Sequence, residues 1–326
     1  MNSLPRKALM LLIFVSVSGT VVADGSGQAR KWLDRMTRAM NEMNYQGTFV
    51  YVRDGVVETM RITHVRDKQG VRERMYSISG PRREVIRNSD GVRCVLQDSS
   101  SVVEDSLVTS TFFPELPFEK MGDTSVGYDL KLSGEARIAG KIAHRVSFKP
   151  KDDFRYGYEY WLEKHTGLLL KWVLVDTDQK VLAKLLFTDF KIGQSVDLKE
   201  LESSSPAENF VAMPTFSKLK TVVTESSPRW QPDKLPPGFK LSSHNQQVNP
   251  DGVFEHMVYS DGLAAVSVYI EKKGSEVGVL QGVSQLGTNN AYSRQQGELQ
   301  ITAIGEVPAV TVKTIATSMV RSVASN

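Results

Sequence analysis

The chain has 326 residues, 40 of them basic and 37 acidic, with 40% hydrophobic residues and a single cysteine. So even a charge balance argues against nucleic acid, whose phosphates demand a clear cationic excess on some surface. One cysteine rules out an intramolecular disulfide, and about 300 residues are too many for one comfortable core, so two domains are expected.

Residues 1 to 23 carry Arg6-Lys7, the apolar run Ala8 to Val17, and Val21-Val22-Ala23 before Asp24. This is the pattern of a cleavable secretory signal. Its apolar run of about ten residues is half of the roughly 20 that a membrane-crossing helix needs, and no Cys follows Ala23 to accept a lipid. The expected mature chain is soluble and works outside the cytoplasm, where ATP and nicotinamide cofactors are scarce. Binding, sensing, transport and hydrolysis remain. Loss of Arg6 and Lys7 takes two from the 40 basic residues, leaving 38 against 37 acidic.

Next, Trp32, Leu33, Met36, Met40 and Met43 recur at three- and four-residue spacing, which predicts an amphipathic helix from Ser26 to Asn44. Strand-like runs follow at Tyr45 to Arg53, Val56 to Arg66, Val71 to Ser79, Arg82 to Asn88 and Val92 to Gln97. They are split by Asp54-Gly55, Asp67 to Gly70, Gly80-Pro81 and Ser89 to Gly91, all turn chemistry. Connections this short cannot carry a parallel crossover, so the sheet is antiparallel. After a less regular stretch from Asp98 to Met121, strands resume at Gly127 to Ile138, Lys141 to Lys149, Tyr156 to Glu163, Leu168 to Asp176 and Lys180 to Phe190.

Several of these runs are apolar on both faces. Leu168, Leu170, Trp172 and Leu174 line one side of their strand, and Leu169, Val173 and Val175 the other. One long helix cannot cover ten such strands, so the sheet is expected to curl on itself as barrels do. Such a curl either leaves an apolar hollow or is filled by its own side chains. Arg72, Arg74, Arg82-Arg83, Arg87 and Arg93 gather near one part of the sheet. They suit an anionic head group or an acidic peptide, or else form a solvated face paired with Glu73 and Glu84. Cys94 reads as a small buried hydrophobe.

Ser203 to Pro206 and Ser226 to Pro228 mark a linker over residues 205 to 228. Beyond it, Trp230 to Phe239 form an extended, turn-rich entry to a small α+β unit. Strands are expected at Val253 to Tyr259, Leu263 to Glu271 and Glu298 to Ile304, with a low-periodicity stretch from Lys273 to Gly297 between them. Val312, Ile315, Ala316, Met319, Val320 and Val323 continue as a helix. Catalytic patterns are missing: His64, His144, His165, His244 and His256 have no metal-ligand spacing, and there is neither a nucleophile elbow nor a phosphate-cradling Gly loop. An enzyme, a metal site or a cofactor is not expected.

Short segments through nearly the whole mature chain carry a resemblance. They are Tyr45-Gln46-Gly47-Thr48-Phe49-Val50-Tyr51, Val71-Arg72-Glu73-Arg74, Arg83-Glu84-Val85-Ile86-Arg87, Tyr128-Asp129-Leu130, and Arg155-Tyr156-Gly157-Tyr158-Glu159 with Thr166-Gly167-Leu168. Leu235-Pro236-Pro237-Gly238-Phe239, Ser260-Asp261-Gly262-Leu263 and Gly305-Glu306-Val307-Pro308 complete the set. In this order they resemble the RseB/MucB family, periplasmic regulators of the envelope-stress sigma factor (sigma-E, AlgU).

The resemblance implies an α+β chain. A large N-terminal curved antiparallel sheet over residues 24 to 204, an unclosed barrel with helices like the lipoprotein carriers of the periplasm, precedes a smaller domain over 229 to 326. It implies a negative regulator that binds the periplasmic part of a transmembrane anti-sigma factor (RseA/MucA-like) and shields it from the first protease of a cleavage cascade. Lipid-bearing signals, such as lipopolysaccharide or lipoproteins, release it, and a homo-oligomer is allowed. On this basis Phe49, Tyr51, Met60, Ile62, Met75 and Trp172 are candidates to line an acyl-chain hollow, and Trp230, Phe239 and Tyr259 are candidates for the main protein contact. The alternative is a periplasmic lipid or lipoprotein carrier, for which the second domain is surplus. A secreted hydrolase would need convergent polar residues in a pocket.

Overall fold

The computed structural model describes residues 25–80, 82–89, 91–96, 124–193, 196–203, 211–213, 227–249, 252–272 and 281–322. The expected signal segment, the stretch from Asp98 to Met121 and part of Lys273 to Gly297 lie outside the described residues. None of the described helices is long and apolar enough to cross a membrane.

Helix α1 spans Gly25–Glu42 and buries Ala29, Leu33, Met36 and Ala39, one stripe at helical spacing. All ten strands expected in the first part form: β1 (Tyr45–Arg53), β2 (Val56–Asp67), β3 (Gly70–Ser77), β4 (Arg83–Asn88), β5 (Gly91–Leu96), β6 (Tyr128–Ile138), β7 (Lys141–Pro150), β8 (Gly157–Glu163), β9 (Leu169–Val175) and β10 (Val181–Ile192). A further short strand, β11 (Val211–Met213), lies within the expected linker and pairs with β5 opposite Cys94, Arg93 and Val92. Among the described residues the sheet order is β11-β5-β4-β3-β2-β1-β10-β9-β8-β7-β6. Neither edge pairs with the other, so the curved sheet stays open.

Two meanders are stitched together by antiparallel pairing of β1 with β10, from Tyr45 opposite Ile192 to Arg53 opposite Ala183. The register then carries one row of side chains across six strands. Leu132, Val146, Tyr160, Trp172, Leu185 and Tyr51 stand successively opposite one another and so share a face. This is the covered face, and α1 lies against it at β6 and β7. Rings fill that end: Phe148 stands edge-on to Tyr128, Tyr158 and Tyr160, with centroids 5.5 to 6.4 Å apart.

The chain leaves α1 under tight control. The His64 ring stacks on Tyr45 at 4.7 Å and 7°, and its Nδ1 lies 3.0 Å from the Met43 carbonyl oxygen, which ties the exit of the helix to β2.

The second part has its own core around Met257, Val266, Val268, Ile301, Val312, Ile315 and Ala316. Its sheet runs β13-β14-β15-β18-β17-β16. The strands are β13 (Lys240–Asn249), β14 (Gly252–Ser260), β15 (Ala265–Lys272), β16 (Gly282–Leu286), β17 (Asn289–Gln296) and β18 (Leu299–Gly305), followed by α2 (Ala309–Ser318). A separate two-stranded piece joins β12 (Trp230–Pro232) to β19 (Met319–Arg321), clasping the entry and exit of the unit.

Three expectations change here. Lys273 to Gly297 was expected to lack strands, yet it holds the β16–β17 hairpin. The buried positions of β17 are Asn290 and Ser293, polar residues invisible to an apolar-alternation test. β13, built largely of Ser, His, Asn and Gln, escaped for the same reason. The final helix was expected to run on through Met319, Val320 and Val323 but stops at Ser318. There the Arg294 guanidinium donates to the carbonyls of Ala316 (2.7 Å) and Met319 (2.8 Å), and the backbone turns extended to pair with β12.

Burial, the larger effect, holds the His64 ring below its usual value of 6.5, against the pull of Glu73 and of the Met43 carbonyl. The unfolded chain therefore takes up a proton more readily than the folded one. Stability is fullest above pH 6.5 and is lost as the pH falls below it. Melting curves from pH 7.5 to about 5.5 should fall less steeply for His64→Phe, which keeps a ring on Tyr45 but cannot titrate. Parallel slopes would exclude His64 as the cause.

Candidate functional site

The covered face of the large sheet gathers all six lining candidates. Phe49 stands opposite Met60, Ile62 opposite Met75, and Leu185 opposite both Tyr51 and Trp172, so the register sets them on one side. Phe49, Met60, Ile62, Met75 and Trp172 are buried in the core cluster, whereas Tyr51 is partly exposed and packs against its margin. Phe49 also meets Phe187 at 5.4 Å, and Phe187 meets Phe190 edge-on at 4.6 Å. The wall is dense with rings, and Tyr51 is the lining candidate at its rim.

At that rim the second unit docks. The turn after β16 places Gly287 close against the β1–β2 turn, where a Cβ would stand 2.6 Å from an Asp54 carboxylate oxygen, and its φ of +64 favours glycine. Glu306 follows β18 and accepts a hydrogen bond from the Thr288 hydroxyl. Burial pushes its carboxyl up, with Arg53 pulling the other way and Asp54 adding to the rise. Its charge reaches Tyr51, Tyr156, Tyr158 and Tyr160, whose hydroxyls are held up first by burial and further by Glu306. A carboxylate of the second unit thus faces the ring-lined end of the first.

The seam continues through the loop between β7 and β8. Arg155 is fully enclosed, at 0% exposure. Its Nε and Nη2 donate to the two carboxylate oxygens of Asp152 at 2.9 and 3.0 Å, a fork that only a planar guanidinium makes. Its Nη1 donates to Asp261 at 2.5 Å and its Nη2 to the Pro237 carbonyl at 2.5 Å, both in the second unit. Tyr128 and Phe239 lie 5.3 Å from the guanidinium carbon. Nearby, Asn290 donates to the Tyr156 hydroxyl (3.0 Å) and the Val307 carbonyl (2.8 Å), and the Thr311 hydroxyl donates to the Phe154 carbonyl (2.6 Å). Leu263 packs onto the core of the large sheet.

Sequence reasoning quoted Arg155, Pro237, Gly238 and Asp261 within short motifs but assigned them no contact. Arg155 and Asp261 lie 106 residues apart, and no local pattern reports such a pairing. The available local signal was Asp152, three residues before Arg155 and ahead of Tyr156-Gly157-Tyr158.

Trp230, Phe239 and Tyr259, the protein-contact candidates, are 5%, 4% and 2% exposed and belong to the second core. They shape that unit from within, because large rings there supply much of its buried area. Three arginines of the cluster are paired with carboxylates. Arg74 and Glu84, both buried, pair at 2.6 Å, Arg83 meets Glu58 at 3.3 Å, and Arg72 pairs with Asp67. A strap after β10 completes the cover: Glu200 accepts from the Tyr76 hydroxyl (3.1 Å) and lies 3.4 Å from Arg61, and Ser203 donates to Glu84 (3.1 Å).

The sequence compares directly with known proteins. Residues 28–205 match the model of the MucB/RseB N-terminal domain, and residues 224–320 match that of the MucB/RseB C-terminal domain. The chain belongs to the MucB/RseB family. It is 34% identical to the sigma factor AlgU regulatory protein MucB of Pseudomonas aeruginosa over 96% of both chains. Identity with the sigma-E factor regulatory protein RseB of Haemophilus influenzae is 25%, over 97% of this chain and 98% of that one. Among solved structures, the Pseudomonas aeruginosa MucA/MucB complex matches with a TM-score of 0.72 at 29% identity, covering 91% of this chain and all of that one. A MucB crystal structure matches at 0.62 and 30% identity, covering 91% and 99%. The MucB/RseB pattern thus spans both sheets and the seam between them.

At the seam, Gly127 is required by space: a Cβ there would lie 1.8 Å from Nη1 of Arg155 and 2.5 Å from its Cζ. Gly127→Ala should therefore cost about 1–3 kcal/mol, the usual penalty of overpacking. That lowers the melting temperature by roughly 2–4 °C per kcal/mol for units of this size. An unchanged calorimetric melt would show that Arg155 moves aside freely.

Proposed function

We propose that this chain is a periplasmic negative regulator of a sigma factor that holds the periplasmic part of a membrane-spanning anti-sigma factor, protects it from regulated proteolysis, and lets go when lipid-bearing stress signals arrive. It is a binding protein, not an enzyme. The observation that carries the reading is membership in the MucB/RseB family over both parts of the chain, together with close likeness to a MucB solved with MucA.

In this reading residues 24 to 204 sense lipid and residues 229 to 326 make the main contact with the anti-sigma segment. The six residues of the covered face are the acyl-contact set, with Tyr51 as the point of entry because it stands at the partly exposed rim. Trp230, Phe239 and Tyr259 set the shape of the surface that grips the partner. Moving such a switch from 1:99 to 99:1 needs about 5.5 kcal/mol of differential binding. At about 0.8 kcal/mol per buried methylene, roughly seven methylenes held only in the released state suffice, well within one acyl chain.

The decisive assay exposes the anti-sigma periplasmic segment to its protease with and without the full mature chain. Protection that disappears on adding lipopolysaccharide is the expected result. Lipid binding without any protection would point to a carrier. Tyr51→Asp should leave protection intact and blunt its reversal by lipid, since a charge at the rim opposes entry of a hydrocarbon chain. Equal reversal in both proteins would remove Tyr51 from the path. Removing residues 229–326 should abolish capture.

A further inference from the structure

We propose that Arg155 is the bolt of a reversible latch between the two units, staying on Asp152 while it exchanges Asp261 and the Pro237 carbonyl for water as the second unit swings away. The case rests on how each half is provided for once parted. Arg155 keeps the two-pronged bond to Asp152, a residue of its own loop whose side chain is 21% exposed and already meets solvent. Asp261 keeps the backbone N–H groups of Leu263 (2.9 Å) and Ala264 (2.8 Å), which belong to its own turn.

Breaking a buried ion pair is costly mainly because one charge is left alone in a dry place. Here neither is. The closed cluster also sets two carboxylates around one guanidinium, so parting separates Asp152 from Asp261 and relieves like-charge repulsion. Burial pushes the Asp261 carboxyl up even against the pull of Arg155 and the two N–H groups, in keeping with a closed state that strains this group.

Among the other ties, Asn290 to Tyr156 and Thr311 to Phe154 are single neutral hydrogen bonds that water replaces, Leu263 adds an apolar contact, and each unit retains its own core. Gly127 clears the space that the guanidinium occupies, since a Cβ there would lie 1.8 Å from Nη1.

The test uses the full mature chain with Cys94→Ser and spin labels on Lys131→Cys and Lys313→Cys, two exposed sites on opposite units. Pulsed electron resonance should give one narrow distance for the parent. Asp261→Asn retains the turn through its amide oxygen but loses the charge, so the parted population should rise about tenfold or more, the worth of one charge-assisted hydrogen bond. Arg155→Lys, which cannot fork, should do the same. Asp152→Asn should remain closed, because Arg155 is still held by Asp261.

A narrow distance in Asp261→Asn and Arg155→Lys, with circular dichroism unchanged, overturns the latch. So does equal broadening in Asp152→Asn, the mark of a cluster that merely supports the fold. Any use of the latch in releasing an anti-sigma segment rests on the function proposed above. The distances are measured on the protein alone, so the two ideas can fail separately.

Discussion

Among the described residues, an eleven-strand layer, several of whose strands are apolar on both sides, has one long helix to cover it, and the pairing of β1 with β10 holds its two halves together. That pairing joins the opening strand of the large sheet to the last of its long strands, and both meanders grow outward from it. Phe49, Phe187, Leu185 and Tyr51 sit on this central pair, and the Phe49 and Phe187 rings meet across it. Among the described residues, helix α1 lies mainly against the β6–β7 end. The other end is finished by the arginine–carboxylate pairs and the strap carrying Glu200 on the outer face.

The second unit gives this sheet its asymmetry. It approaches at the tip of the β1–β2 hairpin and at the loop before β8, two places that flank the rim beside Tyr51. The lipid release proposed above needs an element whose two arrangements differ little in free energy, so that a ligand of modest differential affinity can decide between them. A seam of enclosed but self-sufficient polar groups is suited to this, because water can replace each bond as it breaks.

The same logic explains why the aromatic residues of the second unit are buried. Trp230 enters through β12, which the β19 strand clasps, so the ring is fixed by the meeting of the two ends of the unit. Tyr259 and Phe239 flank the turn that presents Asp261. Their burial holds that turn in place, and with it the carboxylate offered to Arg155.

Much of the large sheet was legible in the chain because Gly-containing turns interrupt strongly apolar runs, and every such run became a strand within about two residues of its expected ends. The inward face was legible only as a pair of alternatives for each strand, since Leu168 to Val175 is apolar on both sides. Cross-strand register chose between them. In the smaller unit the pattern failed wherever buried positions were polar, as at Asn290 and Ser293, and wherever an outside partner ended a helix, as Arg294 does for α2. The sequence by itself determined the open antiparallel sheet, the family, and the residues available to line its wall, because these follow from local periodicity and ordered motifs. Only the tertiary structure decided that Arg155 meets Asp261 and that Asn290 meets Tyr156, because those contacts depend on where two separately folded cores come to rest against each other.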